Sequence, residues 1–415
     1  MNYLAFILSN PRFLAYGFMM LFFAGFGQTY YFGPYTDSVR RSFDLSHGDI
    51  GLLFSLATGA AGLLMMWAGR KIDDVDLRTF TFLICVTLIA GCFSMSTANS
   101  IPTLMLAFFL LRLSGQGLMM HASFTSMARY FDKERGKAIS VASFGMALAQ
   151  ATFPLMAESM NSALGWRDAW HWSALFLTVT LIPMMLWLLT GHRERHEEFL
   201  RNSAEGQQAG QGKSGWTRRV LLRDIRFYLI FPSVMTMPFI LTGFIFHQQH
   251  VARLLDWSLG LQPRAFVAYA GVAFVCSVFA GPLVDRIGAR KMIAWNTLPF
   301  MAGMIALAVT SHPVAAWLYL GLSGITLGFG IPVGTAFWTE MYGPRHVGSV
   351  RAIMSSFGML ATALSPYVMG VAFDHGASVS LLAWLSAAYL GASAVLVWLA
   401  VHRYWEQPHL TEAAS

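Results

Sequence analysis

The sequence predicts an all-α membrane protein with 12 transmembrane helices in two pseudo-symmetric six-helix halves. Three observations predict it: an apolar composition, long apolar runs and an internal repeat. Of the 415 residues, 56% are hydrophobic and 12% are charged, and the mean hydropathy is +0.53. Soluble domains carry about 25% charged residues. This chain therefore has too little polar surface for a soluble globule, and it is neither a disordered chain nor a disulfide scaffold.

The long apolar runs match the thickness of a bilayer. A hydrocarbon core of about 30 Å needs about 20 apolar helical residues per crossing. Twelve runs lie near 13–35, 48–69, 79–98, 102–127, 138–163, 171–191, 226–250, 265–284, 291–311, 314–339, 349–373 and 380–402. They show no strict alternation of polar and apolar residues, which favours helices over the strands of about 10 residues that form membrane barrels.

Basic residues are concentrated in the even-numbered connections between these runs. Outside the longest loop they are Arg70, Lys71, Arg78, Arg129, Lys133, Arg135, Lys137, Arg286, Arg290, Lys291, Arg345 and Arg351. The odd-numbered connections hold only Arg40, Arg41, Arg167, Arg253 and Arg264. Positively charged loops stay in the cytoplasm, so both termini are predicted to be cytoplasmic. The net charge of +7 is therefore a topology signal and indicates no nucleic-acid partner.

The N-terminus and the cysteines carry no sign of processing or of cofactor chemistry. Residues 1–11 contain no Lys or Arg, and no small-residue cleavage site follows, so the first span is expected to stay in the mature protein. Cys85, Cys92 and Cys276 lie inside apolar runs without metal-ligand spacing. They are predicted to be buried, inert thiols, and no metal or cofactor is expected.

The second half of the chain repeats the first. Pairs of identical residues that lie 212 apart are Gly69 and Gly281, Asp73 and Asp285, and Arg78 and Arg290. The tetrapeptide Ser-Phe-Gly-Met at 143–146 returns at 356–359. Several features near one offset indicate duplication. We expect an N-terminal half over 1–191, a cytoplasmic loop over 192–225 and a C-terminal half over 226–415.

This organisation resembles the major facilitator superfamily over nearly the whole chain. The family signature after spans 2 and 8 reads Gly-x-x-x-Asp-Arg/Lys-x-Gly-Arg-Lys/Arg. The second copy here keeps Gly281, Asp285, Arg286, Gly288, Arg290 and Lys291, and the first copy keeps Gly69, Asp73 and Arg78. The resemblance implies a major facilitator fold in which these residues form a latch at the cytoplasmic gate.

A second signature resembles the monocarboxylate porters and the oxalate/formate antiporters. At the entry to span 5, the residues in register with it are Tyr130, Phe131, Lys133, Arg135, Ala138, Ala142 and Gly145. Span 1 lacks the acidic-Gly-Trp opening of those porters. The interior of span 8 lacks their anion-binding Arg. A further gate element comes from the residues themselves: Glu340 is predicted to form an inner-gate ion pair with Arg345 or Arg351.

Arg112 is the main candidate for a substrate contact. It lies near the middle of the fourth predicted span, among Phe and Leu residues. A charged side chain inside a bilayer is costly and is a functional suspect by default. A guanidinium group suits bidentate capture of a carboxylate. The alternative is that Arg112 braces backbone carbonyls or a neighbouring helix.

Four further polar residues in the first half are candidates. Gln150 lies at a depth similar to that of Arg112, and Glu158 lies eight residues further toward the outside. Glu158 is a candidate for proton coupling because a semi-buried carboxyl group can lose its charge when loaded. Solvation near the outer interface is the alternative. Gln28 and Tyr31, three residues apart on one helix face, are predicted to contact substrate.

In span 7, the run from Phe246 to His250 is polar within an apolar helix. His247 and His250 lie three residues apart and share a face. His247 and Gln248 are predicted to contact substrate, and a polar cap at the outer helix end is the alternative. Two histidines without a carboxylate are weak evidence for a metal, so none is expected.

Together these features predict a secondary transporter that works by alternating access around a midplane site. We expect it to move a small organic anion, a monocarboxylate, together with protons across the inner (cytoplasmic) membrane, as a monomer in the lipid bilayer. One rival is a multidrug or amphipathic-compound efflux antiporter. Another is a transporter-like membrane sensor. No phosphate loop or nucleophile–base pair in the sequence indicates an enzyme.

Overall fold

The computed structural model describes residues 3–72, 75–131, 134–197, 224–342 and 347–402. Every regular element in these ranges is a helix, which confirms the predicted all-α class. Of the predicted gate residues, Asp73 lies outside the described residues. The side chains of Arg345 and Arg351 also lie outside them.

Eleven helices in the described ranges are long and apolar enough to cross a membrane, and a twelfth apolar helix is shorter. In chain order the helices are α1 (Pro11–Gly27), α2 (His47–Ile72), α3 (Leu77–Ser96), α4 (Ile101–Tyr130), α5 (Arg135–Leu164), α6 (Trp166–Leu188), α7 (Ile225–Phe246), α8 (Leu261–Ile287), α9 (Ala289–Val309), α10 (Val314–Tyr342), α11 (Val347–Asp374) and α12 (Val379–His402). Apart from the first, these bounds follow the predicted spans closely.

Short polar residues fix where several helices begin. The Asp76 carboxylate accepts hydrogen bonds from the first backbone amides of α3, and Asp224 does the same for α7. Ser100 and Thr103 form a reciprocal capping box at the start of α4. These side chains satisfy N–H groups that have no partner within the helix.

The first predicted span differs most from the structure because it is broken after Gly27. The backbone at Gln28 is extended, with φ −93° and ψ 153°. Two short α-helices follow, Thr29–Phe32 and Thr36–Ser42, separated by the 3₁₀-helix Gly33–Tyr35 that contains Pro34. The glycines before the break and the proline after it are the residues least suited to a continuous helix.

The chain divides into two compact units. The first contains residues 1–45 and 52–212, and the second contains 46–51 and 213–415. In the first unit α1 packs on α5 and α3 packs on α6. In the second unit α8 packs on α10 and α9 packs on α12. The α3–α6 and α9–α12 pairs occupy equivalent positions in the sequence repeat.

Candidate functional site

Arg112 lies where the regular winding of α4 changes. The helix is α-helical from Ile101 to Leu111, becomes a π-helix over Arg112–Met119 and is α-helical again from Met120. A π-helical segment admits an extra residue per turn and is frequent at functional sites. The Arg112 side chain is only 3% exposed.

One nitrogen of the Arg112 guanidinium is held by the protein. Nη1 donates to the Gly27 carbonyl oxygen at 3.0 Å and lies 3.4 Å from Thr29 Oγ1. Because α1 is interrupted at Gln28, a carbonyl in its last turn can accept this bond in place of a helical one. The guanidinium carbon also lies 5.0 Å from the centroid of the Phe54 ring, a cation–π contact.

The other edge of the guanidinium is unsatisfied. Nε and Nη2 of Arg112 are buried and have no hydrogen-bond partner. These two nitrogens lie on the same side of the planar group, and their N–H bonds point in nearly parallel directions. Among the described residues no acidic side chain forms a salt bridge with Arg112. The site is therefore a buried cation that presents a bidentate donor edge.

A small apolar cavity adjoins this cation. Its volume is about 10 Å³, at the lower limit for a single water molecule of about 10–15 Å³. Four aromatic side chains line it together with Arg112: Phe26, Phe32, Phe54 and Phe108. Electrostatic attraction is stronger in such a low-dielectric enclosure than in water.

Two glycines bring α1 and α4 together at this site. A Cβ atom on Gly115 would lie 2.6 Å from the Gly27 Cα atom and 2.8 Å from the Ala24 carbonyl oxygen. Only two residues without side chains allow backbones to approach this closely. The contact places the Gly27 carbonyl within reach of Arg112.

The predicted partners Gln28 and Tyr31 lie in different surroundings. Gln28 is half-buried, and its Nε2 atom lies 3.2 Å from Met120 Sδ on α4. Tyr31 is fully buried, and its hydroxyl group shares a 2.7 Å hydrogen bond with Ser173 Oγ. Its ring packs edge-on against Trp170. Gln28 thus neighbours the Arg112 helix, while Tyr31 is bonded within a packed aromatic core.

Gln150 and Glu158 are both half-buried on α5. The hydrogen bonds of Arg112 run to Gly27 and Thr29 and involve neither residue. The two side chains lie two turns apart on the same helix, since eight residues separate them. Their roles in substrate binding and proton coupling remain predictions.

In the second unit, His247 and Gln248 lie at a break in the polypeptide. Helix α7 becomes a π-helix over Met237–Leu241 and ends at Phe246, and a short helix continues over Gln248–Leu254. His247 is 1% exposed, and its Nε2 atom bonds the Pro366 carbonyl oxygen at 2.9 Å. Gln248 is 2% exposed, and both polar atoms of its amide group are buried without partners.

The first copy of the predicted gate signature makes local contacts. The Gly69 carbonyl oxygen lies 3.0 Å from His121 Nε2. Arg78 is exposed, and its backbone amide donates to Asp76 at the start of α3. Asp76, a departure from the family signature, therefore caps a helix.

The second copy is more strongly anchored. Arg290 donates from Nε and Nη2 to the Val401 carbonyl oxygen, at 3.1 and 2.5 Å. Glu340 Oε1 accepts from the Ala289 backbone amide at 3.3 Å. Gly281, Asp285 and Arg286 are exposed at the end of α8. The described contact of Glu340 is thus a cap on α9, and its predicted ion pair falls on side chains outside the described residues.

Comparisons with known proteins define the class. The profile of the Major Facilitator Superfamily matches residues 17–262 and 234–414. The chain therefore belongs to the Major Facilitator Superfamily of membrane transporters. The fold agrees with a bacterial homologue of the human lysosomal transporter Spinster. That structure aligns with a TM-score of 0.66 at 15% identity, over 94% of this chain and 97% of that one.

Sequence relatives are named for several kinds of substrate. A nitrite extrusion protein of Bacillus subtilis is 22% identical over 88% of this chain and 87% of its own length. Monocarboxylate transporter 13 of Bos taurus is 27% identical, over 69% of this chain and 66% of its own length. The multidrug resistance protein Stp of Mycobacterium tuberculosis is 23% identical, over 84% and 72%. The chain is a multi-pass membrane transporter of small molecules, as the sequence predicted.

Sequence reasoning singled out Arg112 but missed the groups that surround it. The sequence predicted no role for Gly27, Thr29 or Phe54 in the site. One signal was available. Gly27 and Gly115 are small residues inside apolar runs, and such residues mark close helix crossings.

Proposed function

We propose that this protein carries small monovalent oxyanions, monocarboxylates first among them, and that Arg112 binds the anion. The observation that carries the proposal is the unsatisfied Nε–Nη2 edge of a guanidinium that is 3% exposed. A carboxylate accepts two parallel N–H bonds from such an edge. The anion would lie against the Nε–Nη2 edge of Arg112, and the cavity of about 10 Å³ beside it would have to widen to admit a carboxylate.

Arg112 has no acidic counter-charge among the residues that the structure describes. A buried ion that has lost its partner costs about 3–5 kcal/mol. Arg112 makes one good bond, to Gly27, and one cation–π contact. An arriving anion supplies both the missing charge and the missing acceptors. A neutral substrate can supply acceptors but no charge, and a cationic substrate adds a like charge.

The shape of the donor edge favours planar anions. Carboxylate, nitrite and nitrate all present two oxygens on one central atom, so they share the geometry that a guanidinium recognises. Relatives of this chain include proteins named for nitrite, nitrate and monocarboxylates. The apolar phenylalanine walls favour an anion with a small hydrocarbon part, which is the reason for placing monocarboxylates first.

Efflux of amphipathic compounds is the second candidate. Two relatives are named as multidrug proteins, Stp and MdfA. The aromatic walls of the cavity suit such compounds as well. The unpaired Arg112 counts against cationic drugs, since like charges would meet in a low-dielectric site.

We further propose that transport proceeds by alternating access, that it is coupled to protons and that the protein works as a monomer in the cytoplasmic membrane. The bias of Lys and Arg toward the even-numbered connections supports cytoplasmic termini. Glu158 is one candidate for the coupling group. The histidines of the second unit are another candidate.

The test uses purified protein in liposomes with an entrapped pH dye, and protein-free liposomes correct for diffusion of the neutral acids. The panel holds formate, lactate, nitrite, nitrate and the cation tetraphenylphosphonium. Charged hydrogen bonds contribute about 1.5–3 kcal/mol each, so Arg112→Lys, which keeps the charge but loses the donor edge, should weaken anion uptake about 10- to 100-fold. Arg112→Gln should abolish it.

Arg264→Gln is the matched control, because Arg264 is an exposed arginine bonded to Gly260 and Ser258 near the start of α8. It should leave uptake unchanged. Unaltered uptake of every accepted anion by Arg112→Gln would refute the assignment. Transport of tetraphenylphosphonium alone would favour the efflux candidate.

A further inference from the structure

Three histidine rings surround one phenylalanine in the second compact unit, which includes residues 46–51. The rings of His47 and His250 lie 3.8 Å apart, centroid to centroid, and those of His47 and His247 lie 5.7 Å apart. The Phe373 ring lies 4.7 Å from His250, 5.5 Å from His247 and 6.2 Å from His47. Three titratable side chains from two distant parts of the sequence therefore form one cluster, here called the histidine cluster.

The position of His47 is fixed by backbone contacts. The Asp374 carboxylate accepts hydrogen bonds from the backbone amides of His47 at 2.9 Å and Gly48 at 2.6 Å. A Cβ atom on Gly51 would lie 2.9 Å from the Tyr367 Cα atom, so this segment packs directly on the backbone of α11. The ring of His47 is consequently held against its two neighbours.

The hydrogen bond of His247 defines where a proton can be added. A carbonyl oxygen only accepts, so the 2.9 Å bond to Pro366 requires the hydrogen to be on Nε2 of His247. Nδ1 then carries the lone pair. This atom is buried and has no hydrogen-bond partner, in a side chain that is 1% exposed.

The cluster leads from an exposed end to a buried one. Asp374 is exposed, His47 and His250 are half-buried, and His247 is buried. His47, His250 and Asp374 all act electrostatically on His247. Their helices also carry the exposed groups Asp49, Arg253 and His375.

Charge repulsion limits the number of protons that the histidine cluster can bind. Two imidazolium rings at these distances would repel each other strongly, so neighbouring histidines titrate as one coupled group. A single positive charge is accommodated, because the Asp374 carboxylate at the exposed end of the cluster balances it. The geometry is that of a site for one proton.

We propose that His47, His247 and His250 form a single proton-binding site that loads from the side of Asp374 and supplies the coupling proton for transport. The proposal rests on the proton coupling put forward above and assigns it to the histidine cluster rather than to Glu158. Loading adds a proton to a ring-nitrogen lone pair, and unloading returns it, with no other bond made or broken.

The first test measures proton binding without any transport. Protein labelled with ¹⁵N in the histidine rings is titrated by NMR. The three cluster histidines should titrate together, and His47→Gln should shift the titration of both His247 and His250. His312→Gln, which alters an exposed histidine before α10, should shift neither. Independent titration of the three rings, unmoved by His47→Gln, overturns the proposal.

The second test separates proton movement from anion movement in liposomes, with lactate as the probe. His47→Gln and His250→Gln should keep exchange of labelled lactate across the membrane and lose at least about tenfold in lactate-driven proton uptake. Two variants are measured so that a folding defect in one of them does not decide the result. Loss of exchange together with proton uptake in both, or loss of proton uptake in Glu158→Gln alone, overturns the assignment.

A different result is expected if Arg112 does not bind the transported anion. Wild-type protein that exchanges no lactate and no nitrate would refute the role of Arg112. The NMR titration of the histidine cluster would still decide the proton-binding proposal.

Discussion

The contact between Gly27 and Gly115 gives the sharpest structural prediction. In Gly115→Ala, the new Cβ atom would lie 2.6 Å from the Gly27 Cα atom and 2.7 Å from its nitrogen. Carbon atoms in ordinary contact lie about 3.5–4.0 Å apart. The neighbouring atoms belong to the backbone and cannot rotate away, so α1 and α4 must separate by about 1 Å.

That separation acts on Arg112 directly. The 3.0 Å bond from Nη1 to the Gly27 carbonyl oxygen would lengthen to about 4 Å, beyond the range of a hydrogen bond. Overpacking costs about 1–3 kcal/mol, and loss of a bond to a charged group costs about 1.5–3 kcal/mol. Gly115→Ala should therefore unfold several degrees below the wild type. It should also bind anions at least about tenfold more weakly.

Thermal unfolding in detergent and anion uptake in liposomes check both effects. Gly59→Ala on α2 is the matched control, since a Cβ atom there meets nothing within 4 Å. Alanine in a helix interior is favoured over glycine by about 0.5–1 kcal/mol, so the control should be neutral or stabilising. Wild-type unfolding and uptake in Gly115→Ala would show that the close helix contact does not position Arg112.

Three further predictions concern single side chains. Tyr31→Phe should lower the unfolding temperature, because it removes the buried bond to Ser173, and should leave anion preference unchanged. Altered preference would instead support the predicted role of Tyr31 as a substrate contact. Asp76→Ala should cost about 0.5–2 kcal/mol through loss of a helix cap, and Asp76→Asn should recover most of it in the same melts. Burial lowers the pKa of His192 from 6.5 to about 4, so the unfolded state binds the proton first as pH falls. Stability should therefore decrease between pH 6.5 and 4, and unfolding curves of His192→Gln should show a smaller decrease; an equal decrease would exclude His192 as the cause.

The class of fold could be predicted from local features alone. Hydropathy, the period of the apolar runs and the internal repeat each depend on neighbouring residues or on identity at a fixed offset. They gave the helices and their approximate bounds. The first span shows the limit, because hydropathy predicted one continuous run and the backbone is extended at Gln28.

The candidate site was predicted in part. Arg112 is recognisable because a charge in an apolar run is rare and costly wherever the helix packs. Its partners are not recognisable, since they depend on helix rotation and on the depth at which Gly27 meets Gly115. Tyr31 faces the same way as Gln28 in an ideal helix, yet the chain bends between them and places Tyr31 against Ser173.

The sequence by itself determined that this protein is a helical membrane transporter with one cation inside its fourth span. The tertiary structure decided that Nη1 of Arg112 is bonded to the protein and that its Nε–Nη2 edge has no hydrogen-bond partner. It also decided that His47 joins His247 and His250, which lie about 200 residues away in the chain. Composition and spacing depend on the order of residues along the chain. Hydrogen bonds and ring contacts depend on which atoms lie within a few ångströms in space.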